Sequence, residues 1–91
     1  AEVAGRNIKK CILELGGSDP FIVLDDVDLE KTVELGVNSR CGNNGQTCCC
    51  AKRFLVDKKI YKNFLELFVE KMKSKKLGDP FLAETDVGPL A

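Results

Sequence analysis

Three adjacent cysteines after a glycine-containing loop are the most reactive group of side chains in the sequence. Cys48, Cys49 and Cys50 directly follow Gly45-Gln46-Thr47. A thiolate attacks a carbonyl carbon best when backbone N–H groups can bind the oxygen that becomes negative. A cysteine in a loop between a helix end and a strand has such groups nearby, so this segment is a candidate nucleophile site. Core packing is the alternative on residue type alone, because free cysteines are often buried.

A glutamate interrupts an apolar stretch earlier in the chain. Glu14 stands between Leu13 and Leu15 and is followed at once by Gly16-Gly17. A carboxylate that faces a pocket can act as a base near neutral pH, because burial raises the pKa of such groups. A strand-end glutamate that points at water is the alternative. The sequence has no histidine, so a base from this chain must be a carboxylate or a lysine, with water as the remaining option.

Composition excludes several classes of function. The 91 residues form one small domain at most, and 44% are hydrophobic and 31% charged, as in ordinary globular chains. Lys plus Arg and Asp plus Glu both number 14, so no basic field exists for nucleic acid. No apolar run approaches the roughly 20 residues of a membrane span, and no signal peptide is expected. Five cysteines without a C-x-x-C pair predict neither a disulfide framework nor a metal site, and favour a reducing, cytoplasmic setting.

The first half of the chain predicts two strands and a helix, after a weakly helical start. Residues 10–15 and 21–24 are short apolar runs typical of buried strands, and the second predicts burial on both faces. Cys11, inside the first run, is assigned to packing. Residues 28–41 have apolar side chains at helical spacing after acidic capping residues, and Gly42-Asn43-Asn44-Gly45 should end that helix.

The second half repeats the strand and helix order. Residues 52–56 predict a strand, and residues 58–75 predict an amphipathic helix capped by Asp57. Gly78-Asp79-Pro80 then begins a loop that runs to the end. Strand, helix, strand and helix in this order indicate an α/β unit, part of a parallel sheet with crossover helices.

Two motifs resemble the active-site signatures of the NAD(P)-dependent aldehyde dehydrogenase family, and microbial members of the succinate-semialdehyde dehydrogenase type in particular. They are Leu13-Glu14-Leu15-Gly16-Gly17 and Gly45-Gln46-Thr47-Cys48, and Cys48 lies 34 residues after Glu14. Pro20-Phe21-Ile22-Val23 and the Gly78-Asp79-Pro80 tail are also similar to the family. The resemblance covers essentially the whole chain.

The resemblance implies the roles of two residues. Cys48 is the nucleophile that attacks an aldehyde, and Glu14 is the base that activates water to hydrolyse the resulting thioester to a carboxylic acid. Residues 1–91 are then a fragment of the catalytic domain, with the cofactor-binding domain essentially absent. Such a fragment is expected to be inactive alone, while the parent enzyme oxidises an aldehyde.

The resemblance also implies where the ligands lie. Leu15 and Gly16 would lie near the nicotinamide of NAD or NADP, which this chain cannot bind in full. Thr47 and Cys49 would flank the thiol and line the substrate pocket for a small aldehyde. The parent would be a homodimer or homotetramer.

Two departures from the family pattern leave the identity of the aldehyde open. Ser18 follows Gly-Gly where lysine or asparagine is usual. Succinate-semialdehyde enzymes carry an arginine six residues before the nucleophile, where this chain has Gly42, and Arg40 is two residues further away. The alternative hypothesis is a non-catalytic remnant that acts as a structural or redox-sensitive thiol module, with weak folding or self-association.

Overall fold

A computed structural model describes residues 1–91 and contains three α-helices, one 3-10 turn and two β-strands. In chain order they are α1 (Glu2–Arg6), β1 (Asp19–Val23), α2 (Leu29–Cys41), the 3-10 turn (Gly42–Gly45), β2 (Ala51–Val56) and α3 (Tyr61–Lys73). The residues after α3 form turns and one isolated bridge, between Leu77 and Val87. No helix is long and apolar enough to span a lipid bilayer.

The two strands form a parallel sheet with α2 as the crossover between them. Phe21 lies opposite Phe54, and Val23 lies opposite Val56. A parallel pair needs a long connection that returns the chain to the same end of the sheet, and α2 provides it. The predicted α/β unit is therefore confirmed, and both strands lie close to their predicted positions.

The core lies between one face of this sheet and the helices α2 and α3. Val23, Val33, Val37 and Phe64 form its buried centre. An aromatic cluster extends the core, and in it the rings of Phe54 and Phe68 meet edge to face, 4.8 Å apart. The sheet and α3 approach closely at Gly36 of α2, where a side-chain carbon would lie 3.1 Å from the Phe54 ring.

Two predictions from the apolar runs are wrong. Residues 10–15 form no strand, and Cys11 is exposed rather than packed, because no strand of this chain pairs with that segment. The run 21–24 is not buried on both faces, since Ile22 is 66% exposed and Leu24 57% exposed. The two larger helices pack against only one side of the sheet, so alternate residues of β1 face away from the core.

The helix boundaries follow the capping chemistry in one helix and depart from it in the other. The Asp28 carboxylate accepts a hydrogen bond from Lys31 N at 3.1 Å and caps α2 as predicted. Asp57 does not cap α3. Its carboxylate accepts from Lys59 N at 2.8 Å and closes a turn, so that α3 begins only at Tyr61 and ends at Lys73.

Candidate active site

The cysteine-rich loop lies between the end of α2 and the start of β2. Three successive residues before it have left-handed backbone, with φ of 49° at Asn43, 58° at Asn44 and 77° at Gly45. Asparagine and glycine tolerate this conformation best, so the predicted stop signal for α2 is confirmed. The Thr47 hydroxyl donates to the carbonyl of Gly42 at 3.1 Å and closes the loop on itself.

The two predicted motifs meet because each one precedes a strand of the same parallel pair. Gly17 lies two residues before β1, and Cys48 lies three residues before β2. Neighbouring parallel strands begin at the same edge of a sheet, so the segments that enter them also lie side by side. The contact is direct: a side-chain carbon at Gly17 would lie 2.5 Å from the carbonyl oxygen of Cys48.

A lysine at the start of β2 joins the two segments. Lys52 Nζ donates to the carbonyl oxygens of Gly17 at 2.5 Å, Thr47 at 3.1 Å and Cys48 at 3.4 Å. Arg53, on the opposite face of β2, donates from Nε to the carbonyl of Ser18 at 2.9 Å. The strand β2 therefore holds the backbone at Gly17 and Ser18 from both of its faces.

The predicted catalytic and ligand-binding side chains are mostly open to solvent. Cys48 and Cys49 are both exposed free thiols. Glu14 is also exposed, and its carboxylate makes no hydrogen bond or ion pair within the chain. Leu15 is 71% exposed, and a side-chain carbon at Gly16 would have no neighbour within 4 Å. Reagents can reach this edge of the sheet freely.

The third cysteine of the run has a different environment. Cys50 is only 3% exposed, and its sulfur accepts from Arg40 Nη1 at 2.9 Å and contacts the Gly45 carbonyl at 3.4 Å. This thiol packs beneath the loop. Arg40 is engaged there as well, which separates it from the exposed thiol of Cys48.

Backbone donors are available beside the exposed thiols. The amides of Cys48 and Cys49 donate to no group within the chain, whereas the next two amides are engaged: Cys50 N donates to the Thr47 carbonyl and Ala51 N to the Ser39 hydroxyl. Free N–H groups next to a nucleophile are the donors that stabilise a tetrahedral oxyanion. The loop thus offers a thiol and two amide donors at the same place.

The C-terminal tail packs against the other side of the loop. Asn44 Nδ2 donates to the Pro89 carbonyl at 2.7 Å, and Gly88 N donates to Asn44 Oδ1 at 3.1 Å. Ala91 N donates to Gln46 Oε1 at 2.9 Å. The residues just before the cysteines are therefore held by a stretch more than forty positions away in sequence.

Sequence reasoning missed the residues that hold this loop. Lys52 and Asn44 had no predicted contacts, and Arg40 could not be placed. One signal was available for Lys52, namely its position four residues after Cys48 at the start of a predicted strand. The partners of Asn44 and Arg40 follow only from the three-dimensional path of the loop.

A separate concave surface lies on the helical side of the chain. It measures about 540 Å³, lies along α2 and α3, and includes no residue of the cysteine loop in its lining. Its lining is mostly charged: Asp28, Glu30, Lys31, Glu34, Glu70 and Lys71. Its lining contains no cysteine, so the exposed thiols at the sheet edge remain the candidate nucleophiles.

The chain is a parallel α/β unit in which an exposed thiol loop and the glycine end of the Glu14 motif lie at the same edge of the sheet. Residues 1–91 match the model described as the aldehyde dehydrogenase family. The chain belongs to that family, as its two motifs predicted.

Sequence relatives agree with this assignment. The chain is 55% identical, over all of its 91 residues, to the succinate-semialdehyde dehydrogenase [NADP(+)] of Mycobacterium avium (strain 104) and spans 19% of that protein. It is 52% identical over 89 residues to the succinate-semialdehyde dehydrogenase [NADP(+)] 1 of Mycobacterium tuberculosis (strain ATCC 25618 / H37Rv), covering 98% of the chain and 20% of the relative. The chain thus spans about a fifth of the length of these relatives.

Solved structures share the fold. Lactaldehyde dehydrogenase from Escherichia coli superposes with a TM-score of 0.91 at 44% identity, over 98% of this chain and 19% of that one. A 3,6-anhydro-L-galactose dehydrogenase in complex with NAP superposes with a TM-score of 0.89 at 38% identity, over 98% and 19%. Both likenesses confirm that the two strands and their helices are part of the aldehyde dehydrogenase fold.

Proposed function

We propose that the chain is the catalytic-thiol segment of an NADP-dependent aldehyde dehydrogenase that oxidises an aldehyde to a carboxylic acid. The observation that carries the proposal is the contact between Gly17 and Cys48, which brings the segment of Glu14 beside the exposed thiol loop. The parent is a homodimer or homotetramer of the cytoplasm, and residues 1–91 belong to its catalytic domain.

Cys48 is the nucleophile in this proposal. Its thiolate attacks the aldehyde carbon, and the carbonyl oxygen becomes an oxyanion that the free amides of Cys48 and Cys49 can bind. The exposure of Cys48 supports this role. The burial of Cys50 and its contact with Arg40 argue against Cys50 as the nucleophile. Thr47 and Cys49 flank the nucleophile and contact the substrate.

The backbone of Leu15 and Gly16 would hold the nicotinamide of the cofactor. No atom occupies the space where a side chain would lie at Gly16, so a flat ring can approach the backbone there, which fits a nicotinamide. A nicotinamide held there would supply the hydride acceptor needed to convert the thiol adduct of Cys48 into a thioester. NADP is favoured over NAD because the relatives described above are named for NADP(+).

Glu14 completes the reaction. Its carboxylate takes a proton from a water molecule as that water attacks the thioester carbon; the C–S bond then breaks, and Cys48 leaves as a thiolate. The carboxylate has no competing partner within the chain, which supports its availability as a base. A positioned general base contributes about a hundredfold or more to such a step.

Succinate semialdehyde is the first aldehyde to test, because the relatives described above are named for it. A cation would be the strongest partner for its carboxylate, and Arg40 does not supply one, since its guanidinium contacts Cys50. Gly42 adds no charge either. A cation that binds the substrate carboxylate would therefore come from outside the cysteine loop.

Acylation of the thiol tests the proposal without any cofactor. An activated ester such as 4-nitrophenyl acetate transfers its acetyl group to a reactive thiolate and releases nitrophenolate, and peptide mapping locates the acetyl group. We expect acetylation of Cys48 ahead of Cys49 and Cys11, all three being exposed. Glu14→Gln should leave this step in place and slow hydrolysis of the thioester roughly a hundredfold.

Two controls make the outcome specific. Glu66→Gln changes an exposed glutamate of α3 far from the thiol and should leave both steps unchanged. Cys49→Ser should retain acetylation at position 48, whereas Cys48→Ser should abolish it. Equal acetylation of all exposed thiols, with hydrolysis indifferent to Glu14→Gln, would instead support a structural or redox-sensitive thiol module.

A further inference from the structure

We propose that Lys52 is a positioning residue of the thiol site, which ties the backbone of the glutamate segment to the cysteine loop and aligns the free amides of Cys48 and Cys49. The proposal rests on the proposed function and names a residue that neither of the two active-site motifs contains. Lys52 touches no reacting atom in it and acts through the peptide groups around the thiol.

The hydrogen bonds of Lys52 use its full donor capacity. An ammonium group has three N–H donors, and Nζ is paired with three backbone carbonyls, those of Gly17, Thr47 and Cys48. One carbonyl belongs to the first motif and two belong to the second. The side chain is half-buried on β2, and hydrogen bonds from a charged donor are stronger than those from a neutral one.

The geometry of the peptide bond carries this effect to the thiol. All peptide bonds of the chain are trans, so the C=O and N–H of each peptide group point to opposite sides. Lys52 Nζ donates hydrogen bonds to the carbonyls of Thr47 and Cys48. The N–H groups of Cys48 and Cys49, which belong to the same peptide groups, therefore point away from the ammonium. These are the two amides that donate to no group within the chain.

The same bonds fix the glutamate segment. Lys52 holds the Gly17 carbonyl, three residues after Glu14, and Gly17 is pressed against the Cys48 carbonyl. Loss of the ammonium would leave the contact at Gly17 without its hydrogen bond. The motif that contains Glu14 would then lose its charged hydrogen-bond link to the thiol loop.

Amide chemical shifts test the hydrogen bonds of Lys52 directly. A hydrogen bond to a carbonyl changes the nitrogen shift of the following amide, so the signature of Lys52 lies on Ser18, Cys48 and Cys49. In Lys52→Met we expect these three amides to move by more than the amides of Phe21 and Val56 in the sheet. In Lys52→Arg, which keeps a charged donor, we expect smaller displacements.

A matched control distinguishes the loss of the Lys52 hydrogen bonds from the loss of one positive charge. Lys62 is exposed on α3 and makes no hydrogen bond or ion pair, so Lys62→Met should leave the amides of Ser18, Cys48 and Cys49 in place. Unchanged shifts at these amides in Lys52→Met, in a chain whose sheet amides are intact, would overturn the proposal.

A double-mutant cycle tests the positioning role. Glu14→Gln should slow hydrolysis of the Cys48 thioester strongly in the wild-type chain and about tenfold less strongly in the Lys52→Met background, because coupled neighbours do not act additively. Lys52→Arg should restore much of the Glu14 effect. A purely structural contribution of Lys52 would slow or destabilise both backgrounds alike and leave the Glu14 effect unchanged, and that result would contradict the proposal.

The two readouts also distinguish this proposal from the proposed function. One outcome is that the amide shifts of Ser18, Cys48 and Cys49 change in Lys52→Met while Glu14→Gln alone does not alter the rate of thioester hydrolysis. That outcome would support the hydrogen bonds of Lys52 and reject the catalytic role of Glu14. Normal dependence on Glu14 in both backgrounds would support the proposed function and reject the role of Lys52.

Discussion

The backbone of Gly17 lies against the carbonyl group of Cys48, so close that a side-chain carbon at position 17 would sit 2.5 Å from the oxygen. No such carbon is tolerated at that distance from a backbone atom. The contact explains why the first motif ends in glycine, and it brings together two segments that are far apart in sequence.

The first prediction concerns this contact. Gly17→Ala should push the cysteine loop away and destabilise the fold by about 1–3 kcal/mol, the usual cost of overpacking. Gly16→Ala is the matched control, because a side-chain carbon there has no neighbour within 4 Å. Urea unfolding measures the cost, and acetylation of Cys48 reports on the loop. Equal stability of the two variants would show that the backbone yields without cost.

The second prediction concerns the aromatic core. Phe64 is 3% exposed and stacks on Phe68 at 5.5 Å, so Phe64→Ala should cost about 3–5 kcal/mol. Native domains are stable by only about 5–15 kcal/mol, and the fold would be marginal without this ring. Tyr61→Ala, at a position 52% exposed on the same helix, should cost far less. Thermal unfolding followed by circular dichroism would compare them.

The third prediction concerns acid. A hydrogen bond from Lys76 N holds the pKa of Asp86 below its usual value of 3.8, with a further contribution from the Lys75 ammonium. Because the folded-state pKa is the lower one, the stabilisation is complete above the unfolded-state pKa and disappears as the pH falls through the folded-state pKa.

Carbon-detected NMR titration of the Asp86 carboxyl would locate its midpoint. Asp86→Asn should remove this part of the pH dependence of unfolding and leave the stability at low pH nearly unchanged. A midpoint at or above 3.8 would contradict the assignment of the hydrogen bond.

The fourth prediction concerns the open face of the sheet. Ile22 and Leu55 lie opposite each other in register and are 66% and 51% exposed, so the isolated chain should self-associate through this face. Leu55→Lys should weaken association about tenfold or more, as expected from loss of one buried leucine. Sedimentation velocity measures the change, and Leu77→Lys, at an 80% exposed position outside the sheet, should have little effect.

Much of the fold could be predicted because its signals are local. Helical spacing and the Asp28 cap defined α2, and the asparagine and glycine residues that end it adopt the left-handed backbone they favour. The helix α3 was found by its apolar stripe, but its start was misplaced. An aspartate at Asp57 can close a turn as well as cap a helix, and the sequence does not distinguish the two.

The rest depends on partners that no local pattern contains. An apolar run such as residues 10–15 becomes a strand only when another strand accepts its hydrogen bonds, and β1 pairs with β2 alone. The positions of Glu14 and Cys48 relative to each other followed from family resemblance. The contacts that join the two motifs, through Lys52 and Gly17, required the three-dimensional structure.

The hydrogen bonds between Asn44 and the Gly88-Pro89 stretch affect the conformational entropy of the loop that carries the thiol. The loop before Cys48 is held on one side by Lys52 and on the other by Gly88 and Pro89. Its conformational entropy is therefore lost when the chain folds, and little remains to be lost when a substrate arrives. Loss of the hydrogen bonds that join Gly88 and Pro89 to Asn44 would return that entropy to the loop and weaken substrate binding at a thiol that these two residues do not contact.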